Sequence, residues 1–176
     1  MNSSRQSIIN IIESREKRVI HQRKLLQQYQ KNTLVSYKIN IPGEIKDSPL
    51  YRKIFKKGWE ELIKQAEDKS IEILSKEEFY KASGPEGYMV FKEEATTIKK
   101  LTTNIEEQHP LGRIFDFDVL YGEGKQISRT DIGKSPRRCF ICDGNAFECG
   151  RSRRHSIEEL VASIHDKAQT YFENEK

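Results

Sequence analysis

The 176-residue sequence lacks any apolar run that approaches the roughly 20 residues needed to cross a bilayer. The apolar segment of a secretory signal peptide is also missing, because charged residues interrupt the N-terminal region. Only three cysteines are present, an odd number confined to residues 139–149, which argues against a disulfide framework. These absences predict a cytoplasmic protein in a reducing compartment.

A large excess of either charge is missing as well, since the formal net charge is only +4. Such a mild positive charge suits an acidic protein partner or a polyphosphate substrate, and by itself it does not indicate nucleic acid binding. Hydrophobic residues make up 35% of the chain and charged residues 33%. Because the apolar residues cluster in periodic segments, we expect an ordinary core beneath a highly charged surface.

Apolar periodicity predicts the order of helices and strands. Helical spacing over residues 5–31 predicts an N-terminal helix, and alternation over residues 32–43 predicts a first strand. The later elements are a helix from Ser48, strands over 70–82 and 87–92, a helix over 95–108, strands over 109–122 and 125–130, and a helix over 156–172. Without the terminal helices, this order predicts an α+β fold with a ferredoxin-like split βαβ sheet.

We expect two parts along the chain. Residues 1–31 should form a helical extension, and residues 32–176 should form the main α+β domain. That domain includes a Cys/His-rich loop over residues 137–155 and the C-terminal helix.

Two aspartates, Asp116 and Asp118, lie in the otherwise apolar fourth strand. Strand residues i and i+2 point to one face, so both carboxylates project together although like charges repel. Polar residues of neighbouring strands should share this open face: Lys38, Asn40 and one of Ser128 or Arg129. The pair can hold Mg²⁺ against phosphate oxygens, or it can simply pair with lysines and arginines.

His109 and Arg113 precede this pair and offer an acid or base and a phosphate-binding cation. We expect His109 to act as a general base, with Glu106 one helical turn earlier orienting its ring and raising its pKa. In the alternative, His109 only ends the helix, and Asp118 or a metal-bound hydroxide is the base.

Three thiols and an imidazole follow, at Cys139, Cys142, Cys149 and His155. They can fill a tetrahedral zinc shell, and the opening C-x2-C spacing is typical of a zinc knuckle. The alternative is three reduced, partly buried cysteines with His155 at the start of the last helix. Arginines bracket this loop: Arg129, Arg137, Arg138, Arg151, Arg153 and Arg154. They can bind phosphates bidentately or form a solvated basic surface.

Five stretches resemble one known family: "PGEIKDSPLYRKIF" (42–55), "SGPEG" (83–87), "HPLGRIFDFDVL" (109–120), "ISRTDIG" (127–133) and "RRCFICDGNAFECGRSRRH" (137–155). The family is citrate lyase holo-acyl-carrier-protein synthase, also called apo-citrate lyase phosphoribosyl-dephospho-CoA transferase. The resemblance covers about residues 33–160 and leaves the helix over 5–31 outside.

The resemblance implies a nucleotidyltransferase-type enzyme. Its substrate is 2'-(5''-triphosphoribosyl)-3'-dephospho-CoA, whose phosphoribosyl-dephospho-CoA part is attached to a serine of the acyl carrier protein of citrate lyase as pyrophosphate leaves. From their chemistry we expect these substrate-binding residues: Lys38, Arg113, Ser128, Arg129, Arg137 and Arg138. The rival prediction is a non-enzymatic zinc module that docks nucleic acid or an acidic protein through its arginines, which leaves the two strand aspartates unexplained.

Overall fold

The computed structural model of the chain describes residues 2–142 and 144–175, with side chains from residue 13 onward. In chain order the elements are α1 (Asn2–Gln28), β1 (Thr33–Ile39), α2 (Pro49–Asp68), β2 (Ile73–Lys81), β3 (Gly84–Phe91), α3 (Ala95–Gln108), β4 (Phe115–Tyr121), β5 (Lys125–Ile127), α4 (Ala146–Ser152) and α5 (Ile157–Asn174). The predicted order is confirmed, and the short helix α4 is added to it. None of the helices within these ranges combines the length and apolar character of a bilayer-spanning segment.

The five strands form one antiparallel sheet in the order β2-β3-β1-β4-β5. The predicted α+β class is confirmed. The first strand lies between β3 and β4, and helices α2 and α3 connect β1 to β2 and β3 to β4. This order is consistent with the expected split βαβ pattern.

Local sequence signals position the helix starts. The side chain of Ser48 accepts a hydrogen bond from the backbone N–H of Tyr51 at 3.1 Å, and proline at the first position of α2 already has a helical φ. Helix α5 begins with a capping box, in which Ser156 and Glu159 bond each other's backbone N–H groups.

The principal core lies between one sheet face and helices α2 and α3. The ring of Tyr37 on β1 stacks on Phe55 of α2 at 4.7 Å and on Phe117 of β4 at 4.4 Å. Gly58 lets α2 approach this ring, since a Cβ there would overlap the Tyr37 hydroxyl. Burial of these apolar surfaces at roughly 25 cal/mol per Å² is the main source of stability.

Helix α1 covers part of the other face, so the expectation of an open face there is partly wrong. Leu25 and Leu26 of α1 are buried against a second apolar cluster on the sheet: Leu34, Tyr88, Val90 and Leu120. The guanidinium of Arg18 lies 2.7 Å from the buried carboxylate of Glu86 on β3. These contacts attach the C-terminal half of α1 to β1 and β3.

Several boundaries differ from the predictions, among them those of β3, β4 and β5. Strand β3 begins at Gly84 instead of residue 87, so most of the "SGPEG" stretch belongs to the strand. Strand β4 begins only at Phe115, and Ile114 before it is buried in the principal core. Strand β5 ends at Ile127 because a 3₁₀ turn follows at Thr130–Ile132.

Candidate active site

Lys38 and Asp116 are directly opposite each other on β1 and β4. The ammonium of Lys38 contacts a carboxylate oxygen of Asp116 and lies 3.2 Å from Oδ2 of Asp118. The three side chains therefore share one sheet face, as the alternation predicts. Burial lowers the pKa of Lys38, but its attraction to both carboxylates outweighs this and leaves the pKa raised.

The remaining carboxylate oxygens also have donors. Oδ1 of Asp116 accepts from Arg137 Nη1 at 3.0 Å, and Oδ1 of Asp118 accepts from Gln126 Nε2 at 2.6 Å. Burial raises the pKa of Asp116, but the positive charges of Lys38 and Arg137 lower it by more, so the pKa lies below its usual value. Mg²⁺ requires accessible oxygen ligands. The pair makes the contacts with lysine and arginine that the alternative describes, and the Mg²⁺ clamp stays a prediction.

A cleft opens where β5 stops short of the first half of β4. Within the described part of the chain, no strand pairs with this edge of β4 next to Phe117. Two side chains of α3 replace the missing strand: Glu106 accepts from the N–H of Phe117 at 3.2 Å, and Lys99 donates to its carbonyl oxygen at 3.4 Å. The cleft has a volume of about 380 Å³. Its charged lining residues are Lys99, Glu106, Asp116, Asp118, Arg129 and Arg137.

Glu106 is buried at this cleft and binds residues on both sides of it. Its carboxylate accepts from Arg129 Nη2 at 2.6 Å, while Arg129 Nη1 lies 3.0 Å from Glu107. The expected contact between Glu106 and the ring of His109 is therefore replaced by a contact with Arg129.

His109 does not line the cleft. Its ring packs at 5.0 Å from the ring of Phe115 and 5.3 Å from that of Tyr171 on α5. Its Nδ1 atom accepts from the N–H of Leu111 at 3.0 Å. The expected rise in the pKa of His109 is wrong, because burial lowers this pKa. The structure thus places His109 at the end of the helix and outside the cleft.

Of the predicted phosphate-binding residues, Ser128, Arg129 and Arg137 line the cleft, whereas Arg138 does not. Arg113 is half-buried close to Arg129 and Arg137, and burial together with these two positive charges lowers its pKa. Ser128 lines the cleft, but it lies beyond the end of β5 at Ile127. Its hydroxyl donates to Asp131 at 2.7 Å. Arg138 does not line the cleft: it is exposed and forms a backbone bridge to Asn145 in the Cys/His loop.

The four Cys/His ligands are close together. The Sγ atom of Cys142 lies 3.5 Å from that of Cys149 and 3.3 Å from Nε2 of His155, and all four ligand atoms, including Cys139, lie within 4.8 Å of one another. Zinc–sulfur bonds of about 2.3 Å in a tetrahedron separate sulfur atoms by about 3.8 Å. The cluster could therefore hold a metal ion.

The surrounding backbone also suits a metal ion. Burial raises the pKa of the Cys139 thiol, but backbone N–H groups of Cys142 and Ile141 donate to it and leave the pKa lowered. Burial and the neighbouring sulfurs raise the pKa of Cys149 to about 11. A Cβ at Gly144 would lie 3.3 Å from the sulfur of Cys149, so glycine leaves room for the thiols.

Lys99 and Gln126 are cleft residues that the sequence analysis does not single out. A signal for Lys99 exists in α3, where Lys99, Thr102 and Glu106 repeat with helical spacing beside the apolar stripe. All three are buried, so a polar face of this helix points inward. Gln126 has no comparable signal, because its position depends on where β5 ends.

The chain matches known proteins over most of its length. The family model described as apo-citrate lyase phosphoribosyl-dephospho-CoA transferase matches residues 6–171, which adds most of α1 to the region covered by the motifs. A protein of this description from Citrobacter koseri is 37% identical over 164 residues, covering 91% of this chain and 89% of the relative. Those from Shigella boydii serotype 18 and Escherichia coli O157:H7 are 37% identical over 155 residues, covering 88% of this chain and 84% of each relative. The chain belongs to the apo-citrate lyase phosphoribosyl-dephospho-CoA transferase family.

Proposed function

We propose that this chain attaches the phosphoribosyl-dephospho-CoA group to a serine of the acyl carrier protein of citrate lyase. The donor is 2'-(5''-triphosphoribosyl)-3'-dephospho-CoA, and pyrophosphate leaves. The observation that carries the proposal is the family match over residues 6–171, since the relatives are described as phosphoribosyl-dephospho-CoA transferases for apo-citrate lyase. The cleft at the edge of β4 supports it independently, because Lys99, Arg129 and Arg137 line it and can pair with phosphate groups.

The reaction is a phosphoryl-type substitution. The serine Oγ forms a bond to the phosphorus nearest the ribose, the bond from that phosphorus to the bridging oxygen breaks, and the electron pair leaves with pyrophosphate. The serine proton must pass to a base. Negative charge grows on the leaving group, so fixed positive charge at that position lowers the barrier.

Arg129 and Arg137, which line the cleft, and Arg113 beside them supply that charge in the proposal. Arg113, Arg129 and Arg137 lie close together, and guanidinium groups bind phosphate oxygens in a bidentate manner. Glu106 and Asp116 hold two of these arginines at 2.6 Å and 3.0 Å. Such preorganised cations lose little conformational freedom when the triphosphate binds.

We assign the base to Asp118. Its carboxylate is half-buried, lines the cleft, and is oriented by Gln126 and Lys38. His109 is a weaker candidate because its ring packs between Phe115 and Tyr171 instead of lining the cleft. A carboxylate within reach of the serine hydroxyl can accept its proton as the new bond forms.

Mg²⁺ stays a prediction, and no step proposed here depends on it. The four oxygens of Asp116 and Asp118 already accept from Lys38, Arg137 and Gln126. Binding of Mg²⁺ to the pair would compete with the positive charges of Lys38 and Arg137.

For the Cys/His cluster we propose zinc, because three sulfurs and one imidazole nitrogen at these separations match its preferred shell. Zinc held by Cys139, Cys142, Cys149 and His155 would contribute folding free energy to the loop over residues 137–155. The division into a helical extension, residues 1–31, and a catalytic domain, residues 32–176, stays a prediction, as does the cytoplasmic location.

The proposed partner is the acyl carrier protein. Exposed arginines between Cys149 and His155 suit an acidic carrier: Arg151, Arg153 and Arg154. A non-enzymatic zinc module is not favoured, because it explains neither the transferase relatives nor the buried polar cleft.

The test combines purified protein, the triphosphoribosyl donor and the apo carrier, and measures released pyrophosphate over time. Release that requires the carrier, and that stops when the carrier's acceptor serine is replaced by alanine, is the expected result. Absence of carrier-dependent release would reject the proposal.

A further inference from the structure

We propose that Lys99, together with Arg129, forms the subsite that holds the leaving pyrophosphate. The identity of the anion rests on the proposed function, whereas the subsite is argued from the contacts of these two side chains.

Lys99 is a buried cation with few partners. Only 6% of the residue is exposed, and its ammonium donates to the carbonyl oxygen of Phe117 at 3.4 Å, near the outer limit of a hydrogen bond. Among the described residues, no carboxylate lies within 4.0 Å of this ammonium. An ammonium has three N–H donors, and buried lysines are rarely left unpaired. Burial lowers the pKa of Lys99, as expected for a charge with little compensation.

Arg129 offers a second donor at the same place. Its two terminal nitrogens bind Glu106 and Glu107 at 2.6 Å and 3.0 Å, but its buried Nε atom has no partner in the described part of the chain. Both side chains line the same cleft. A buried ammonium and a half-buried guanidinium, each with an unused donor, indicate an anion site in this cleft, because phosphate oxygens accept several charge-assisted hydrogen bonds.

The position of Lys99 suits a leaving group. Lys99 reaches the edge of β4 from α3 on one sheet face, whereas Asp118 projects from the opposite face into the same cleft. In phosphoryl transfer the attacking and leaving oxygens are roughly in line across the phosphorus. With Asp118 beside the serine, the cations on the other wall are placed to receive the pyrophosphate.

The size of the cleft agrees with a small anion. Its volume of about 380 Å³ is near the lower end of the roughly 300–1,000 Å³ that small-molecule sites occupy. A diphosphate fits this scale, and the dephospho-CoA part must then extend out of the cleft.

The melting temperature of Lys99→Met distinguishes a structural role of Lys99 from a role in anion binding. If Lys99 only supported the fold, its replacement by methionine would lower the melting temperature. If Lys99 serves an anion, Lys99→Met removes an uncompensated buried charge, so the melting temperature of the anion-free protein should hold or rise.

The test is direct binding of inorganic pyrophosphate by titration calorimetry, with Mg²⁺ present and without carrier or donor. Wild type, Lys99→Met and Lys100→Met are compared, since Lys100 is the exposed neighbour in α3 and carries the same charge. We expect Lys99→Met to weaken pyrophosphate binding by at least about 10-fold, the effect of one lost charge-assisted bond, and Lys100→Met to change it by less than about 2-fold.

Equal pyrophosphate binding by wild type and Lys99→Met would overturn the subsite, as would a wild type that does not bind pyrophosphate. The assay needs no transfer reaction. Loss of binding in Lys99→Met therefore supports the subsite even if carrier modification fails, and such a failure rejects only the proposed function.

Discussion

The Nη1 atom of Arg137 lies 3.0 Å from Oδ1 of Asp116. The same guanidinium donates to the carbonyl oxygen of Phe115, and Cys139 follows only two residues later in the chain. One side chain thus connects the Cys/His cluster to the carboxylate on β4. We therefore expect a metal that orders the cluster to position Arg137 at the cleft as well.

Zinc content tests this connection. The purified protein should carry about one zinc per chain, and a strong chelator should lower its melting temperature by at least about 5 °C and slow the transfer. Cys142→Ser should reproduce both effects, and Ser135→Ala, an exposed position before the loop, should not. Metal analysis without zinc, together with a melting temperature that the chelator leaves unchanged, would return the cluster to three reduced cysteines.

Asp118→Asn tests the assignment of the base. Asparagine has nearly the same shape and keeps one acceptor oxygen, but it cannot take up the serine proton, so turnover should fall by roughly 10²–10⁴-fold while the fold persists. Asp166→Asn, on the exposed side of α5, is the matched control and should keep wild-type turnover. Wild-type turnover in Asp118→Asn would contradict the assignment.

His109→Gln separates the two interpretations of the histidine. Since its ring packs against Phe115 and Tyr171 outside the cleft, the variant should change turnover by less than about 3-fold and keep the pH–rate profile. Its melting temperature should fall, because the ring contacts are lost. A large loss of turnover in which the acidic limb of the profile also disappears would restore His109 as the base.

Acid should release α1 from the sheet. Burial raises the pKa of Glu86, but Lys81 and Arg18 lower it further, so the folded pKa lies below the unfolded value. The stabilisation is therefore present above the unfolded carboxyl pKa of about 4.3 and is lost as the pH falls through the folded pKa. Hydrogen exchange should show α1 opening in this window before the remaining helices.

Glu86→Gln should destabilise the protein by about 2 kcal/mol at neutral pH and remove most of this pH dependence. The exposed pair of Glu72 and Lys92 is the control, and Glu72→Gln should cost less than about 1 kcal/mol. Unchanged acid exchange in Glu86→Gln would show that another group detaches the helix.

Much of the fold is predictable because periodicity records burial. The helix over Ala95–Gln108 has the predicted bounds, and alternation in β1 and β4 places Lys38 with Asp116 and Asp118. Strand ends are harder to predict, since alternation alone did not reveal the stop of β5 at Ile127. Because β5 ends at Ile127, the side chain that contacts Asp118 is Gln126, and neither Ser128 nor Arg129.

The site is less predictable than the fold. The sequence predicts that Glu106 contacts His109, because the two residues are one helical turn apart. In the structure Glu106 instead contacts Arg129, which is 23 residues away in the sequence. The sequence does not predict a buried Lys99, because a lysine in an amphipathic helix normally faces solvent. Only the position of α3 at the edge of β4 shows that it is buried.

The intact mass of the acyl carrier protein tests the central claim most directly. After incubation with this chain and the triphosphoribosyl donor, the carrier should gain one phosphoribosyl-dephospho-CoA group, and the variant lacking the acceptor serine should gain none. An unmodified carrier after incubation with folded, metal-loaded protein would contradict the account.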